Sequence, residues 1–109
     1  VVDAGNNLYV SDFDNARIRK ISPEGVVSTF AGSVRSNQDG LLATATFDSP
    51  SVLAWGPDAS LYVADWAVGK IRKISPEGMV STFATGLLYI DGIAVDSEGN
   101  IYGASNGNR

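Results

Sequence analysis

The sequence predicts an all-β fold built from repeated four-stranded antiparallel units, and three observations predict it. The first is a phrase written twice. Residues 17–31 read RIRKISPEGVVSTFA and residues 70–84 read KIRKISPEGMVSTFA, identical at 13 of 15 positions, with only Arg17/Lys70 and Val26/Met79 differing. The second is a β-rich triplet that keeps the same place in each unit: Leu8-Tyr9-Val10, Leu61-Tyr62-Val63 and Ile101-Tyr102-Gly103, with the tyrosines 53 and then 40 residues apart. The third is turn chemistry between short alternating runs. About 40–45 residues per four-stranded unit is the spacing of β-propeller blades.

Each element has a local reason. Asn7 to Asp12 alternates and is β-rich, behind a turn cluster at Asp3-Ala4-Gly5-Asn6. Arg17 to Ser22 is a second strand. Ser22-Pro23-Glu24-Gly25 and its copy ending at Gly78 are tight turns, because Pro presets φ and Gly supplies the left-handed position that reverses the chain. The runs VVSTFA and MVSTFA are the returning strands. An apolar strand opens each unit, at Val52-Leu53-Ala54-Trp55 and at Ile93-Ala94-Val95, and Tyr9, Tyr62 and Tyr102 mark the strand that follows it. The expected division is a blade over 1–31, a long inter-blade connection over 32–50, a blade over 51–84 and a partial blade over 91–109. Nine strands and a stub are not a multiple of four, so the expectation is a segment of a longer propeller whose remaining blades come from the same chain.

Composition narrows the chemistry. Eight Lys/Arg against twelve Asp/Glu give a formal charge of −4, which offers no electrostatic reason to expect nucleic acid. The absence of His removes His-based triads, His-ligated zinc and His acid–base chemistry, and the absence of Cys removes disulfides. No apolar run approaches the ~20 residues that span a membrane as a helix.

The units resemble NHL repeats. The residues that carry the likeness are Ile93-Ala94-Val95-Asp96 with Gly99-Asn100-Ile101-Tyr102, Leu61-Tyr62-Val63-Ala64-Asp65 and Arg17-Ile18-Arg19-Lys20-Ile21. The connection with Asp39-Gly40, Ala45, Phe47 and Pro50 looks like that family too. The resemblance implies a propeller, usually six-bladed, of which about two and a half blades are present. NHL propellers serve as protein-binding, RNA-binding, sensor and occasionally lyase domains, so the resemblance speaks to fold more than to activity.

Candidate functional residues collect where the start of the first strand, the end of the second and the long connection share one face. Ser51 and Asp91 stand eleven residues before Tyr62 and Tyr102, at the expected channel mouth. Asp12 and Asp65 end the second strands and are followed by Phe13 and Trp66. A repeated Asp in that place ordinarily caps a turn by accepting backbone N–H bonds. The aromatics suit either a recognition surface or packing between blades. The 32–50 connection suits either packing over the next blade, through Leu41, Leu42 and Phe47, or ligand binding, with Leu42 to Phe47 able to make a single helical turn.

The main functional expectation is a non-catalytic scaffold that binds a protein or small ligand on its loop-rich face, through Asp12, Ser51, Asp65, Trp66 and Asp91, without a cofactor. Two alternatives stand beside it. The stretch Asp91 to Tyr102, with Asn106-Gly107, is similar to a blade of the gluconolactonase-type propellers, a resemblance that implies a calcium-type cation held by Asp91 and a lactonase-like hydrolysis; Ser51 stands where a ligand-type Asn would be expected. The repeated bases Arg17, Arg19, Lys20, Lys70, Arg72 and Lys73 admit an RNA-binding stripe, or solvated side chains paired with nearby carboxylates.

Overall fold

The computed structural model describes residues 1–105, so Asn106 and Gly107 lie outside the described residues. Ten strands follow in order: β1 (Leu8–Asp12), β2 (Arg17–Ile21), β3 (Val27–Ala31), β4 (Gly40–Leu41), β5 (Pro50–Trp55), β6 (Leu61–Asp65), β7 (Lys70–Ile74), β8 (Met79–Ala84), β9 (Ile90–Val95) and β10 (Ile101–Ser105). They form three antiparallel sheets, ordered β1-β2-β3, β4-β8-β7-β6-β5 and β10-β9. No helix among the described residues is long and apolar enough to cross a membrane.

The repeated phrase gives repeated geometry down to its irregularities. Leu8 faces Ile21 as Leu61 faces Ile74, and Ile21 faces Val27 as Ile74 faces Val80. A bulge falls between Ile18 and Arg19 and again between Ile71 and Arg72. Gly25 and Gly78 both sit at φ 89, where a side chain would be strained, and the amides of both donate back to Ser22 and Ser75 to close the turn.

Alternation along the strands sorts side chains onto two faces. One face of the first sheet carries Tyr9, Ile18 and Ala31, and turns toward the second sheet. The facing surface of the second sheet carries Leu61, Val63, Ile74 and Val80. Ile18, Ala31, Leu61, Val63, Ile74 and Val80 share one core with Ala45 and Phe47, and Phe30, Leu42, Leu53 and Trp55 pack against it. The core is thus an inter-sheet core. Tyr9 bridges the units, edge-on to Phe30 at 4.9 Å and to Trp55 at 5.3 Å.

The segment 32–50 departs from a plain connection. It contributes β4 as a fifth strand on the outer edge of the second sheet, with Gly40 opposite Val80 and Leu41 opposite Met79. Leu42 continues the contact through its amide to the Gly78 carbonyl, and a single turn closes from the Ala45 amide to the Leu41 carbonyl. Phe47 is buried while Leu41 is exposed, so packing runs through Phe47 and Leu42.

A buried charge fastens this segment. All five N–H donors of Arg72 are used: Nε and Nη2 to Asp39 (3.1 and 2.9 Å), Nη2 to the Gln38 carbonyl, and Nη1 to the Thr46 carbonyl and to Asp65 (3.1 Å). The Phe47 ring lies 4.7 Å from the guanidinium carbon. Asp65, equally buried, also accepts the amides of Asp48 and Ser49.

The first unit repeats the pair as Asp12–Arg19, 3.0 Å apart but part-exposed, with none of the enclosing segment. Identical chemistry in two environments gives a direct test. Asp65→Ala leaves the Arg72 charge short of its buried partner and is expected to cost about 3–5 kcal/mol, whereas Asp12→Ala is expected to cost about 0–1 kcal/mol; urea unfolding of both variants measures the difference.

Candidate functional site

One rim of the molecule gathers the ends of β1 and β6 and the starts of β5 and β9. Backbone bonds lace it together: the Trp66 amide donates to the Ser49 carbonyl at 2.9 Å, and the Tyr89 amide to the Trp66 carbonyl at 3.1 Å. The Ser49 hydroxyl accepts the Ala67 amide at 2.8 Å and donates to Asp48. Ser51 lies within β5, where its hydroxyl is 3.3 Å from both the Ala64 and the Ile90 carbonyls and so ties β5 to β6 and β9.

Three aromatic rings run along this rim, one from the first unit, one from the second and one from the connection into the third. Phe13 begins a short 3-10 turn after β1, Trp66 follows β6, and Tyr89 precedes β9. Phe13 meets Trp66 edge-on at 5.9 Å, and Tyr89 lies tilted against Trp66 at 4.6 Å. Tyr89 holds a left-handed backbone at φ 62, uncommon for a bulky side chain, and its amide bond to Trp66 is one of the contacts that hold it there. From the middle of the row the Trp66 indole N–H donates to an Asp91 carboxylate oxygen at 3.3 Å. The arrangement offers ring faces and edges beside one exposed carboxylate.

The expected site residues divide accordingly. Trp66, Asp91 and Ser51 come together on the rim, with Phe13. Asp65 lies underneath, fully buried, its carboxylate given to Arg72 and two amides. Asp12 accepts from the Asn15 amide group and from Arg19, and the Arg19 guanidinium, then Asn15, holds its carboxyl below the usual range. Tyr89 had no place among the sequence candidates. Its signal was its register: it occupies the position of Ser49 in the preceding unit, so a large aromatic replaces a small buried hydroxyl.

The other motif-bearing residues are accounted for by structure. Arg72 is wholly enclosed and cannot reach a phosphate. Lys20 and Lys73 lie over the rings of Tyr9 and Tyr62, at 5.9 and 5.7 Å, and Lys73 also pairs with Asp58 at 3.6 Å. The turns on the opposite rim are closed by Asp3 and Asp96. Asp3 accepts the amides of Gly5 and Asn7 and the Tyr9 hydroxyl; Asp96 accepts those of Glu98 and Asn100 and the Tyr102 hydroxyl. Among the described residues, no group of three or more His, Cys, Asp or Glu side chains is placed to hold a metal ion.

Comparison with known proteins follows from this geometry. No family model matches the chain. Among curated proteins it is 36% identical over 56 residues to quinoprotein glucose dehydrogenase B of Acinetobacter calcoaceticus, covering 50% of this chain and 12% of that one. It is 31% identical over 84 residues to teneurin-3 of Mus musculus, covering 62% of this chain and 3% of that one. Among solved structures it superposes with a TM-score of 0.84 on a structural-genomics protein of Bacteroides thetaiotaomicron, at 28% identity over 92% of this chain and 30% of the other. It also superposes with a TM-score of 0.74 on streptogramin B lyase, at 14% identity over 99% of this chain and 33% of the other.

The fold is that of a β-propeller. The chain spans about a third or less of each of these proteins.

The turn carboxylates make stability depend on pH with a defined sign. Hydrogen bonds from Asn7 hold the Asp3 carboxyl below its usual range, those from Asn100 do the same to Asp96, and that of Ser60 to Asp58. Folded-state values below the unfolded 3.8 contribute stability that is present above 3.8 and lost as pH falls through the folded values. Burial, then Asp3, pushes the Tyr9 hydroxyl up to about 12 from 10.0, a contribution present below 10.0 and lost as pH rises toward 12. The melting temperature is therefore expected to fall on both sides of a neutral plateau, and Asp3→Asn is expected to flatten the acid limb; scanning calorimetry across pH measures both.

Proposed function

We propose that the chain is part of a non-catalytic, NHL-type propeller that binds a protein or small ligand on the rim bearing Phe13, Trp66, Tyr89, Ser51 and Asp91. The observation that supports this reading is the aromatic row whose central ring is bonded to the Asp91 carboxylate. Phe13 comes from the first unit, Trp66 from the second and Tyr89 from the connection into the third, so the row is one continuous surface, and the indole N–H orients the carboxylate beside it. Rings of this kind attract cations over their faces, and a neighbouring carboxylate adds a point charge and a hydrogen-bond acceptor. The ligand chemistry that fits best is a side chain or small molecule with a cationic, flat or apolar head carrying an N–H donor, such as a guanidinium or an alkylammonium.

The same reading takes the units as blades over 1–31, 51–84 and 91–109 of a six-bladed propeller, with the 32–50 segment lying between the first and second. It assigns Asp12 and Asp65 to support rather than contact, because their carboxylates are engaged with Arg19 and Arg72. Nothing in it requires a cofactor.

The chain has two tryptophans, Trp55 and Trp66. In a Trp55→Phe background, Trp66 fluorescence alone reports on the rim. Titration with an arginine-containing tripeptide and with tetramethylammonium is expected to give a saturable change for at least one of them. Asp91→Asn and Tyr89→Ala are each expected to weaken that response about tenfold. A response absent for both probes, or unaffected by both substitutions, would overturn the reading.

A further inference from the structure

The two copies of the repeated phrase present the same side chains to different surroundings. In the second sheet Leu61, Val63 and Val80 are 1%, 0% and 1% exposed, because the first unit and the 32–50 segment cover them. Their counterparts in the first sheet, Leu8, Val10 and Val27, are 40%, 39% and 59% exposed. Register places Leu8, Val10, Arg19, Ile21 and Val27 on one face, the one turned away from the second sheet.

The polar groups on this face match the apolar ones in being unfilled. Arg19 donates from Nε to Asp12 and from Nη1 to the Thr29 hydroxyl, and its Nη2 has no partner among the described residues. In the second sheet the equivalent guanidinium takes Asp39, two carbonyls and a phenylalanine ring in addition. Thr82, the equivalent of Thr29, gives both its amide and its hydroxyl to Asp39. The outer edge of β8 is paired with β4, whereas β3 pairs only with β2.

We propose that this face of the first sheet is an interface for a further blade of the same repeat, one that brings an acidic–aromatic segment of the Asp39-to-Phe47 type, with Arg19 as its anchor. Three complementary contacts define the partner. A carboxylate completes the Arg19 guanidinium and takes the Thr29 amide. An extended dipeptide beside it adds a short strand to the edge of β3. An aromatic ring stacks over the guanidinium while apolar side chains cover Leu8, Val10 and Val27. Each contact is already present once in the molecule, between the first and second units, so the interface continues an observed one. It uses none of the rings of the ligand rim and does not use Asp91.

A fluorescent peptide with the sequence of residues 32–50 tests this on the intact 109-residue chain. Saturable binding by fluorescence anisotropy is expected. It should weaken at least tenfold when the chain carries Arg19→Gln, and likewise when the peptide carries Asp39→Asn or Phe47→Ala. Lys20→Gln, on the opposite face of the same strand beside the Tyr9 ring, should bind as the parent does, and circular dichroism checks that both chain variants stay folded. A second Arg19 variant, Arg19→Lys, should retain charge attraction but lose affinity, because a point ammonium cannot reproduce the planar fork. Failure of the peptide to bind, or binding that ignores both Arg19→Gln and the Asp39→Asn change, overturns the proposal.

Discussion

The structure depends on one buried guanidinium. Removing a charge from water costs several kcal/mol unless its donors are satisfied and a counter-charge is close. Arg72 meets both conditions only because residues from three places arrive together: Asp65 from the adjacent strand, Asp39 and the Gln38 and Thr46 carbonyls from the 32–50 segment, and the Phe47 ring. That requirement gives a long connection a single path. It must bring Asp39 to the outer edge of the second sheet, which makes β4, and then return so that Phe47 enters the inter-sheet core. The same Asp65 carboxylate accepts the amides of Asp48 and Ser49, and so fixes the entry into β5. β5 is therefore positioned by a charge network centred on the two strands beside it, β6 and β7.

From that positioning the rim follows. Ser49 is held by Asp65, Trp66 by Ser49, and Tyr89 by Trp66, each through a main-chain amide. An aromatic row on flexible loops would lose much of its binding free energy to ordering those loops. Here the rings are carried at strand ends, and the backbone beneath two of them is tied to the buried network. The support is polar and interior while the proposed recognition surface is aromatic and exposed, so the two fall to different residues.

Much of the fold was legible because it is written in local chemistry. Proline and glycine at the Ser-Pro-Glu-Gly turns, alternation around Tyr9, Tyr62 and Tyr102, and the doubled phrase identify strands, reversals and repeat before any contact is known. β4 was illegible because two residues, one of them glycine, carry no periodicity, and only Asp39 meeting Arg72 makes them a strand. Of the rim, Trp66, Phe13, Ser51 and Asp91 could be placed by register. Tyr89 shares a register position with Ser49, but its place on the rim was not legible, because its left-handed backbone and its contact with Trp66 are tertiary facts. Asp12 and Asp65 were visible as a repeated residue, but their partners were not, since Arg19 and Arg72 looked equally suited to solvent.

Repetition also explains where function can reside. Side chains that recur, such as the Asp–Arg pair and the tyrosine clamped by a turn aspartate, answer to the needs of each blade and leave little freedom for a ligand. Ser51 and Asp91 occupy one register position with opposite consequences: the serine hydroxyl is absorbed between two carbonyls, while the carboxylate stays exposed and, among the described residues, accepts from one indole N–H. Ser49 and Tyr89 differ in the same sense, one buried in the lacing of the rim and the other displayed on it. Both substitutions fall at the entry to the third unit and converge on Trp66 of the second. Near-identical repeats present the same surface each time, and such departures single out one sector. The sector marked here is the one where Trp66, Tyr89 and Asp91 meet.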